Sequence, residues 1–254
     1  MTASSVLITG ATGALGAALA ERYAASGTTL VLLGRSAAAL KTLGDRCQAR
    51  GAEVHTYVWD LSTLDGLDEM LLRALQAHRV QLLVLNAGLT STPAPKEHET
   101  IETIRTVMNV NLVSPMIATH AAVAHLRERG GGQIALIGSI SAYFGLPITP
   151  TYCASKAGLL AWGQAMRGRL ARENIKVNIV LPGFFESRMS AQFRSPKPFM
   201  LSSEQAADKI VRGLAQDQPC IAFPFVMVWT MKVLSILPTS WSLKLLRLSG
   251  FSES

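Results

Sequence analysis

Short apolar runs alternate with longer amphipathic segments from residue 5 to residue 181, and this alternation constrains the fold more than any other feature. Strands joined by crossover helices lie parallel in one sheet, and strands that are almost entirely apolar are covered on both faces. The pattern therefore predicts an α/β fold with a doubly wound parallel sheet. The predicted strands are Ser5–Thr9, Thr28–Gly34, Glu53–Trp59, Val80–Asn86, Gly132–Ser139 and Ile175–Leu181, and the predicted helices are Ala14–Ser26, Ser36–Arg50, Ser62–His78, Thr100–Arg129 and Pro150–Glu173.

After Leu181 the alternation gives way to a stretch that is rich in Phe, Met and Pro. A helix is predicted over Ser203–Ala215, a strand around Cys220–Phe223, and one or two amphipathic helices beyond it. No linker separates this part from the rest, so we predict a single domain with a helical apolar C-terminal tail. Within residues 1–254, residues 1–183 form the cofactor-binding and catalytic core, 184–218 the substrate lid region and 219–254 the C-terminal extension.

The composition excludes several classes of protein. Of the 254 residues, 49% are hydrophobic and 16% charged, which provides a large core and disfavours disorder. The net charge of +7 favours anionic partners such as phosphates, acidic carriers or an anionic membrane surface, whereas the lack of a basic run or RNP-like motif disfavours nucleic acid. Three widely spaced cysteines and an N-terminus without a signal-peptide pattern predict a cytoplasmic protein with reduced thiols and no metal site.

The stretch TGATGALG links the first predicted strand to the first helix. Gly10, Gly13 and Gly16 match the loop of nucleotide-sugar epimerases, while Gly10 and Gly16 with Ala14 between them match a small carbonyl reductase lacking one glycine. In doubly wound folds a dinucleotide pyrophosphate binds here, on free N–H groups at a helix N-terminus. Gly10 is expected to allow the tight turn and Gly16 a close packing of the helix on the sheet; an ordinary strand-to-helix turn is the alternative.

Two positions bear on the choice between NADP(H) and NAD(H). Gly34 stands where NAD-specific proteins commonly place a carboxylate for the ribose, and Arg35 follows it. An arginine there pairs with a 2′-phosphate, so NADP(H) is favoured and NAD(H) is the alternative. Asp60, after the third strand, is expected to accept a hydrogen bond from the adenine amino group, to cap the following helix, or to do both.

Six motifs, in order along residues 9–187, resemble the short-chain dehydrogenase/reductase superfamily, in its short single-domain branch with a Rossmann-like fold. Leu85 stands where that family usually has an asparagine, which puts one structural hydrogen bond in doubt, and Ser187 stands where threonine is commoner. The motifs are TGATGALG, LNAG (Leu85–Gly88), NVN ending in Asn111, GSIS containing Ser139, YCASK (Tyr152–Lys156) and PGFFES (Pro182–Ser187).

The residues of these motifs suit hydride-transfer chemistry. Tyr152 and Lys156 are four apart in a predicted helix and share one face. We expect the Lys156 ammonium group, together with a cationic nicotinamide, to lower the tyrosine pKa from about 10 and make Tyr152 the acid/base. Ser139 is expected to hydrogen-bond the reacting oxygen. By resemblance, Asn111 holds a water for proton relay and Lys156 also binds the nicotinamide ribose.

The resemblance further implies the cofactor contacts and the assembly. Asn86, Ala87 and Gly88 form a small-residue wall against the adenine ribose, and the Ser187 hydroxyl bonds the carboxamide. Family members are usually homodimers or homotetramers, with the two long helices packing across subunits. The full expected cofactor set is Gly10, Thr12, Gly13, Leu15, Gly16, Arg35, Asp60, Leu61, Asn86, Ala87, Gly88, Tyr152, Lys156, Pro182, Gly183, Phe185 and Ser187.

We expect the region after Pro182 to determine which substrate binds. Its aromatic and Met side chains suggest a pliable apolar lid, so a lipophilic, acyl-type or biosynthetic-intermediate ketone or secondary alcohol is expected. Arg188, Arg194 and Lys197 are candidates to meet an acidic carrier or a phosphate on the substrate. The expected substrate contacts are Ser141, Phe184, Met189 and Phe193, and the expected lid also includes Phe185, Phe199 and Met200.

The tail leaves three roles open. From Cys220 to Leu237 only Lys232 is charged, over a length close to a short membrane span, but Pro224 and Pro238 argue against a continuous helix. Ser240–Gly250 is a basic amphipathic segment. Packing within the protein or a dimer, where the tail would cover a dimer contact or the substrate mouth, contact with an anionic membrane surface, and a span are all compatible with this pattern.

Two other functions remain alternatives. A nucleotide-sugar epimerase or dehydratase would explain Gly13, but such enzymes carry a substrate domain and a longer separation between the catalytic Ser/Thr and the tyrosine than the 13 residues from Ser139 to Tyr152. A non-catalytic NADPH-binding subunit of a membrane-associated biosynthetic assembly would have no need of an intact Ser-Tyr-Lys set.

Overall fold

The computed structural model describes residues 4–91, 98–193 and 196–248. Its seven strands form one parallel sheet in the order β3-β2-β1-β4-β5-β6-β7. The strand order reverses between β1 and β4, which in such sheets opens a crevice at the carboxyl ends of the strands. The strands are β1 (Ser5–Thr9), β2 (Thr29–Gly34), β3 (Glu53–Val58), β4 (Leu82–Leu85), β5 (Gly132–Ile137), β6 (Ile175–Pro182) and β7 (Cys220–Phe223).

Helices cover both faces of this sheet, because successive side chains of each strand enter opposite cores. On β1, Val6 and Ile8 pack with α1, α2 and α8, whereas Leu7 packs with α3, α5 and α6. The predicted doubly wound, single-domain α/β fold is confirmed. The helices are α1 (Ala14–Tyr23), α2 (Ala37–Gln48), α3 (Leu67–Ala77), α4 (Ile101–Met108), α5 (Ser114–Glu128), α6 (Pro150–Leu170), α7 (Arg188–Gln192), α8 (Ser203–Ala215), α9 (Phe225–Ile236) and α10 (Thr239–Leu248).

Two predicted helices have different boundaries in the structure. The third begins at Leu67 rather than Ser62, because Asp60 closes a turn by accepting hydrogen bonds from the Ser62 N–H and hydroxyl, and Gly66 then adopts a φ of +73°. Asp60 therefore caps this turn and not the helix, which corrects that interpretation. The predicted helix Thr100–Arg129 is divided into α4 and α5 by a π-helical turn over Asn109–Val113.

Strand β3 lies at the edge of the sheet, with β2 as its one neighbour. Its side chains are exposed or partly exposed, so the prediction that every strand is covered on both faces is wrong for β3. The edge carries charge, since Glu53 accepts hydrogen bonds from Thr29 and pairs with His55. Charged side chains of this kind discourage a sheet edge from pairing with another chain.

The C-terminal tail is part of the fold. Strand β7 pairs with β6, and α9 and α10 form a third core in which Val228, Met231 and Leu246 pack against Ile140. The segment Cys220–Leu237 is thus a four-residue strand followed by a twelve-residue helix, which contradicts the interpretation as one spanning helix. Among the described residues, 101–128 are long and apolar enough to cross a membrane, but 56% of an apolar 18-residue window within that stretch is buried in the protein.

Gly16 provides a test of the packing between the glycine loop and α1. A Cβ at this position would lie 2.3 Å from the Gly10 carbonyl oxygen, and backbone cannot move aside as a flexible side chain can. We expect Gly16→Ala to lose about 1–3 kcal/mol in the free energy of unfolding, measured by urea denaturation.

The matched control is Gly168→Ala in α6, where no atom lies within 4 Å of the added methyl group. This variant should gain about 0.5–1 kcal/mol, because alanine is the better helix former. Equal stability of the two variants would contradict the close approach.

Candidate active site

The glycine loop after β1 forms a cradle of backbone groups. Gly10 has a φ of +62°, as expected for the tight turn, and a Cβ there would lie 2.8 Å from the Ala87 Cα. Thr12 and Gly13 are exposed, and no side chain caps the N-terminus of α1. Leu15, one residue into the helix, is buried in the core. The exposed N-terminal N–H groups therefore face a site that suits an anion.

Asn86 ties this loop to the end of β4. Its side-chain amide donates hydrogen bonds to the carbonyl oxygens of Thr9 and Gly10, both at 3.1 Å. In return, the Thr9 hydroxyl accepts hydrogen bonds from the N–H groups of Asn86 and Ala87, at 3.0 and 3.2 Å. Leu85, which replaces the usual asparagine, is a buried residue of β4. Thr9, which sequence reasoning did not single out, thus helps Asn86 to fix the loop.

Arg35 and Asp60 lie close together at the ends of β2 and β3. The Arg35 Nη1 is 4.0 Å from the Asp60 Oδ2, and Arg35 is 67% exposed. The backbone hydrogen bond from Ser62 is the main cause that lowers the Asp60 pKa, with Arg35 contributing. Leu61 is buried beside them. Arg35 is exposed enough to meet a phosphate, and Asp60 is the one acidic group in the described residues that forms an ion pair with it.

Lys156 lies beneath this crevice, on α6. It is only 4% exposed, and its Nζ donates a hydrogen bond to the Ile137 carbonyl oxygen at 2.9 Å. The same Nζ lies 5.7 Å from the centre of the Tyr152 ring. Burial lowers the Lys156 pKa from 10.5 to about 8. The predicted shared face of these two residues is thus present in the structure.

Tyr152 has a pKa raised to about 12, because its phenol is buried; a hydrogen bond with Ser139 acts in the opposite direction. Without a bound cofactor, burial therefore raises the Tyr152 pKa, whereas we predicted that Lys156 would lower it. The Ser139 hydroxyl also accepts a hydrogen bond from the Ser141 N–H at 3.2 Å, at the start of a short 3₁₀ turn. Both Ser139 and Tyr152 line the cavity described below.

Asn111 lies in the π-helical turn and is fully buried. Its amide nitrogen donates to the Leu89 carbonyl oxygen at 2.8 Å and to the Ser155 hydroxyl at 3.0 Å, and its Oδ1 accepts from the Leu89 N–H at 2.8 Å. A Cβ on Gly88 would lie 3.5 Å from both the Asn111 Oδ1 and the Lys156 Nζ. The π-helical turn therefore brings Asn111 beside Lys156, and its side chain holds the loop that follows β4.

Glu99 anchors the N-terminus of α6, which carries Tyr152 and Lys156. Its carboxylate accepts hydrogen bonds from the Thr151 N–H at 3.3 Å and from the hydroxyl groups of Thr151 and Ser91. A negative charge at this end of a helix is favourable. The sequence analysis missed Glu99, because nothing in its local sequence shows that it meets a helix 52 residues further on.

A cavity of about 820 Å³ opens beside these groups, with mostly apolar walls. Its lining includes all four predicted substrate residues and also Gly183, Phe185 and Ser187; the rings of Phe184 and Phe193 meet edge to face at 6.0 Å. Of the other predicted lid residues, Phe199 lines the cavity but Met200 does not. Arg188 and Lys197 lie outside the lining, and Arg194 lies outside the described residues.

The PGFFES motif joins the cavity to the tail. Pro182 ends β6, and the Gly183 N–H donates a hydrogen bond to the Phe223 carbonyl oxygen at 2.7 Å. The Ser187 hydroxyl accepts a hydrogen bond from the Ser190 N–H and caps α7. This bond leaves the hydroxyl proton of Ser187 free for a ligand.

The outer wall of the cavity comes from α9 and α10, in keeping with the substrate mouth that was one of the roles left open for the tail. Val226, Trp229, Val233 and Leu245 are among the lining residues. Val226, Trp229 and Val233 are three and four residues apart on α9, and this spacing indicates an apolar helix face. It could not show that this face closes a cavity next to Tyr152.

Known proteins resemble this chain in sequence and in fold. A family model described as short chain dehydrogenase matches residues 4–198. The 3-oxoacyl-[acyl-carrier-protein] reductase of Rickettsia felis is 31% identical, over 75% of this chain and 76% of that protein. A short-chain dehydrogenase from Sphingobium yanoikuyae, solved with NADPH, has a TM-score of 0.80 at 24% identity and covers 96% of this chain and 93% of its own. A metagenomic short-chain oxidoreductase, solved with NADP, has a TM-score of 0.72 at 25% identity, over 87% and 95%.

The chain belongs to the short-chain dehydrogenase/reductase family. It is accordingly an NAD(P)-dependent oxidoreductase that acts on alcohol or carbonyl groups.

Burial of Lys156 makes a testable contribution to stability. Between pH 8 and 10.5 the unfolded chain binds more protons at this residue than the folded chain, so stability rises with pH across this range. Below pH 8, Lys156 is charged in the folded and the unfolded chain, so the whole cost of burying the charge is subtracted from the free energy of unfolding. At pH 7, removal of the buried charge in Lys156→Met should raise the free energy of unfolding by up to about 3 kcal/mol. Loss of the Ile137 hydrogen bond should lower it by about 1 kcal/mol, so the variant is expected to be the more stable protein.

The advantage of Lys156→Met should shrink as the pH approaches 10, as measured by denaturant unfolding at both pH values. Lys176→Met, at a residue exposed in β6, is the control and should show no such pH dependence. A stability difference for Lys156→Met that stays constant with pH would contradict the lowered pKa.

Proposed function

We propose that the protein is an NADP(H)-dependent oxidoreductase that interconverts a lipophilic ketone and its secondary alcohol. The observation that carries this proposal is the apolar cavity, which has Tyr152 and Ser139 in its lining and the buried Lys156 behind them. A carbonyl or hydroxyl oxygen at this end of the cavity finds the hydroxyl groups of Tyr152 and Ser139, and the hydroxyl of Ser141 lies in the same lining. The cavity thus pairs an apolar body with one reactive polar end.

The residues present fit a dinucleotide. The exposed N-terminal N–H groups of α1 suit a pyrophosphate, and Gly10 and Gly16 leave no room for side chains against the loop. We assign Arg35 to the 2′-phosphate, which supports NADP(H) over NAD(H). The metagenomic relative solved with NADP is consistent with this assignment. We also assign to the cofactor the other contact residues that the sequence predicts; Thr12 is the first of them along the chain and Ser187 the last.

The cofactor supplies or accepts the hydride when it is bound. Tyr152 donates a proton to the carbonyl oxygen during reduction and removes it from the alcohol during oxidation. Ser139 hydrogen-bonds the same oxygen and stabilises its developing charge. Burial raises the Tyr152 pKa, and the phenol holds its proton at neutral pH, as a proton donor in ketone reduction must. A water held by Asn111 relays a proton to Lys156, and Lys156 passes it on to restore the Tyr152 phenol.

The substrate class follows from the cavity walls. Aromatic rings and methionines, among them Phe184, Phe193 and Met189, surround the space near Tyr152. The Rickettsia felis relative is named for a 3-oxoacyl substrate on a carrier protein, which supports an acyl-type ketone here. Arg188 is exposed beside the cavity and is suited to an anionic group on the substrate or its carrier.

We further assign the protein to the cytoplasm as a homodimer or homotetramer, with the helical stretch 101–128 and α6 as the contact surfaces. The three cysteines form no disulfide in the described residues, which is consistent with a reducing compartment. The apolar α9 and α10 support a peripheral contact with membranes.

Tyr152→Phe tests the acid/base role. The variant keeps the ring but lacks the proton, so we expect kcat/KM for ketone reduction to fall by about 10²–10⁴-fold. NADPH binding, followed by nicotinamide fluorescence, should weaken far less than turnover, because the glycine loop and Arg35 are unaltered. Tyr143→Phe, at a cavity-remote tyrosine, is the matched control. Cofactor binding without turnover of any carbonyl by the wild type would instead favour a non-catalytic subunit.

Arg35→Asp tests the cofactor preference. Losing a charge-assisted hydrogen bond of about 1.5–3 kcal/mol should weaken NADPH binding by about 10–100-fold, with little effect on NADH. Dissociation constants for the two cofactors, measured by fluorescence titration, decide the outcome. An equal loss for both would contradict the assignment of Arg35.

A further inference from the structure

The outer face of α9 and α10 is exposed although it is apolar. Phe225 is 74% exposed, Ile236 81% and Leu248 87%. The inner face of α9 is apolar as well, since Val228 and Met231 are buried against the third core. A surface helix of a protein surrounded by water has a polar outer face. This apolar face (Phe225, Val226, Trp229, Val233, Ile236, Trp241, Leu245 and Leu248) therefore indicates a second partner.

The charge around the apolar face is positive. Lys232, Lys244 and Arg247 are exposed on the same two helices, and none of them forms an ion pair within the described part of the chain. No Asp or Glu occurs between residues 218 and 248. Lys232 lies 5.5 Å above the ring of Trp229, which leaves its charge at the edge of the apolar face. This combination attracts an anionic surface, whereas a second copy of the same face would bring like charges together.

The dimensions favour a surface contact over a span. At 1.5 Å per residue, α9 is about 18 Å long, and the chain turns at Pro238 before α10 begins. A bilayer core is about 30 Å thick, so neither helix crosses it. The Ser242 hydroxyl donates a hydrogen bond to the Leu234 carbonyl oxygen at 2.8 Å and fixes the two helices to each other. Side by side, they form a platform that lies in the plane of the interface.

The same side chains form the mouth of the cavity. Phe225, Val226, Trp229, Val233 and Leu245 are exposed on the apolar face and also line the cavity that reaches Tyr152. A molecule dissolved in a bilayer beneath this face would enter the cavity without crossing water. From this overlap we propose that the apolar face binds an anionic phospholipid bilayer and that the substrate is a membrane-dissolved ketone or alcohol, drawn from the bilayer through this mouth. The substrate half of this proposal rests on the proposed oxidoreductase activity.

The binding half is tested with the purified full chain and sedimentation of vesicles. We expect binding to vesicles of phosphatidylcholine mixed with phosphatidylglycerol, weaker binding to phosphatidylcholine alone, and a decrease with salt. The double variant Ile236→Glu/Leu248→Glu alters residues outside the cavity lining and should bind anionic vesicles at least about tenfold more weakly. Val58→Glu, at an exposed apolar residue of β3 outside both the apolar face and the assigned oligomer contacts, is the control and should bind like the wild type.

The delivery half is tested by comparing two substrates in the same variants. A long-chain methyl ketone held in anionic vesicles should show a raised KM with the double variant, whereas a short water-soluble ketone should be reduced at the wild-type rate. Equal loss, or no loss, with both ketones would overturn delivery from the bilayer. No sedimentation with either vesicle, together with a fall in molecular mass on light scattering in the double variant, would show that a second copy covers the face. Vesicle binding without turnover of any ketone by the wild type would leave the membrane contact standing and overturn the proposed activity.

Discussion

The burial of the Lys156 ammonium group is the constraint on which the site depends. A buried cation without a carboxylate partner is unfavourable, and the lowered pKa of Lys156 expresses that cost. Within the described residues, the ammonium group donates one direct hydrogen bond to a backbone group, the Ile137 carbonyl oxygen at the end of β5. This contact requires α6 to lie close to the sheet, and it thereby fixes where Tyr152 stands. A side chain kept in so unfavourable a place, next to a cleft, is typical of a functional group.

The residues that hold the site are largely different from those assigned to the reaction. Thr9 and Asn86 join the glycine loop to β4, Asn111 joins the next loop to α6, and Glu99 joins the start of α6 to Ser91. Each link satisfies buried backbone groups that would otherwise be costly. Together they place the carboxyl ends of β1, β4 and β5 around one crevice. Precise placement of reacting groups is itself a large part of catalytic power.

Sequence reasoning succeeded where a local pattern determines the structure. The apolar runs of β1 and β7 and the capped helix α8 have the predicted bounds, because strand periodicity and a Ser202 cap are both local signals. Predictions from the sequence were wrong where contacts between distant residues determine a helix boundary or the exposure of a strand. The start of α3 depends on Gly66 and the Asp60 turn, and the exposure of β3 depends on its place at the edge.

The site shows the same division. Ser139, Tyr152 and Lys156 were found by spacing, and the structure does bring them together. The raised Tyr152 pKa could not be foreseen, because it comes from burial that only the assembled walls produce. The π-helical turn at Asn111 and the contribution of Trp229 to the cavity likewise depend on tertiary packing.

The reacting groups and the outer wall of the cavity come from separate parts of the chain, with the wall following the strand β7 that pairs with β6. Every group assigned to proton and hydride chemistry precedes Ser187, whereas the outer wall of the cavity follows Pro224 and joins the fold through β7 and the third core. The wall can therefore diverge in shape while the reacting groups keep their geometry. Evolution, or a designer, can retarget such an enzyme by exchanging its last two helices and leaving the reaction unchanged.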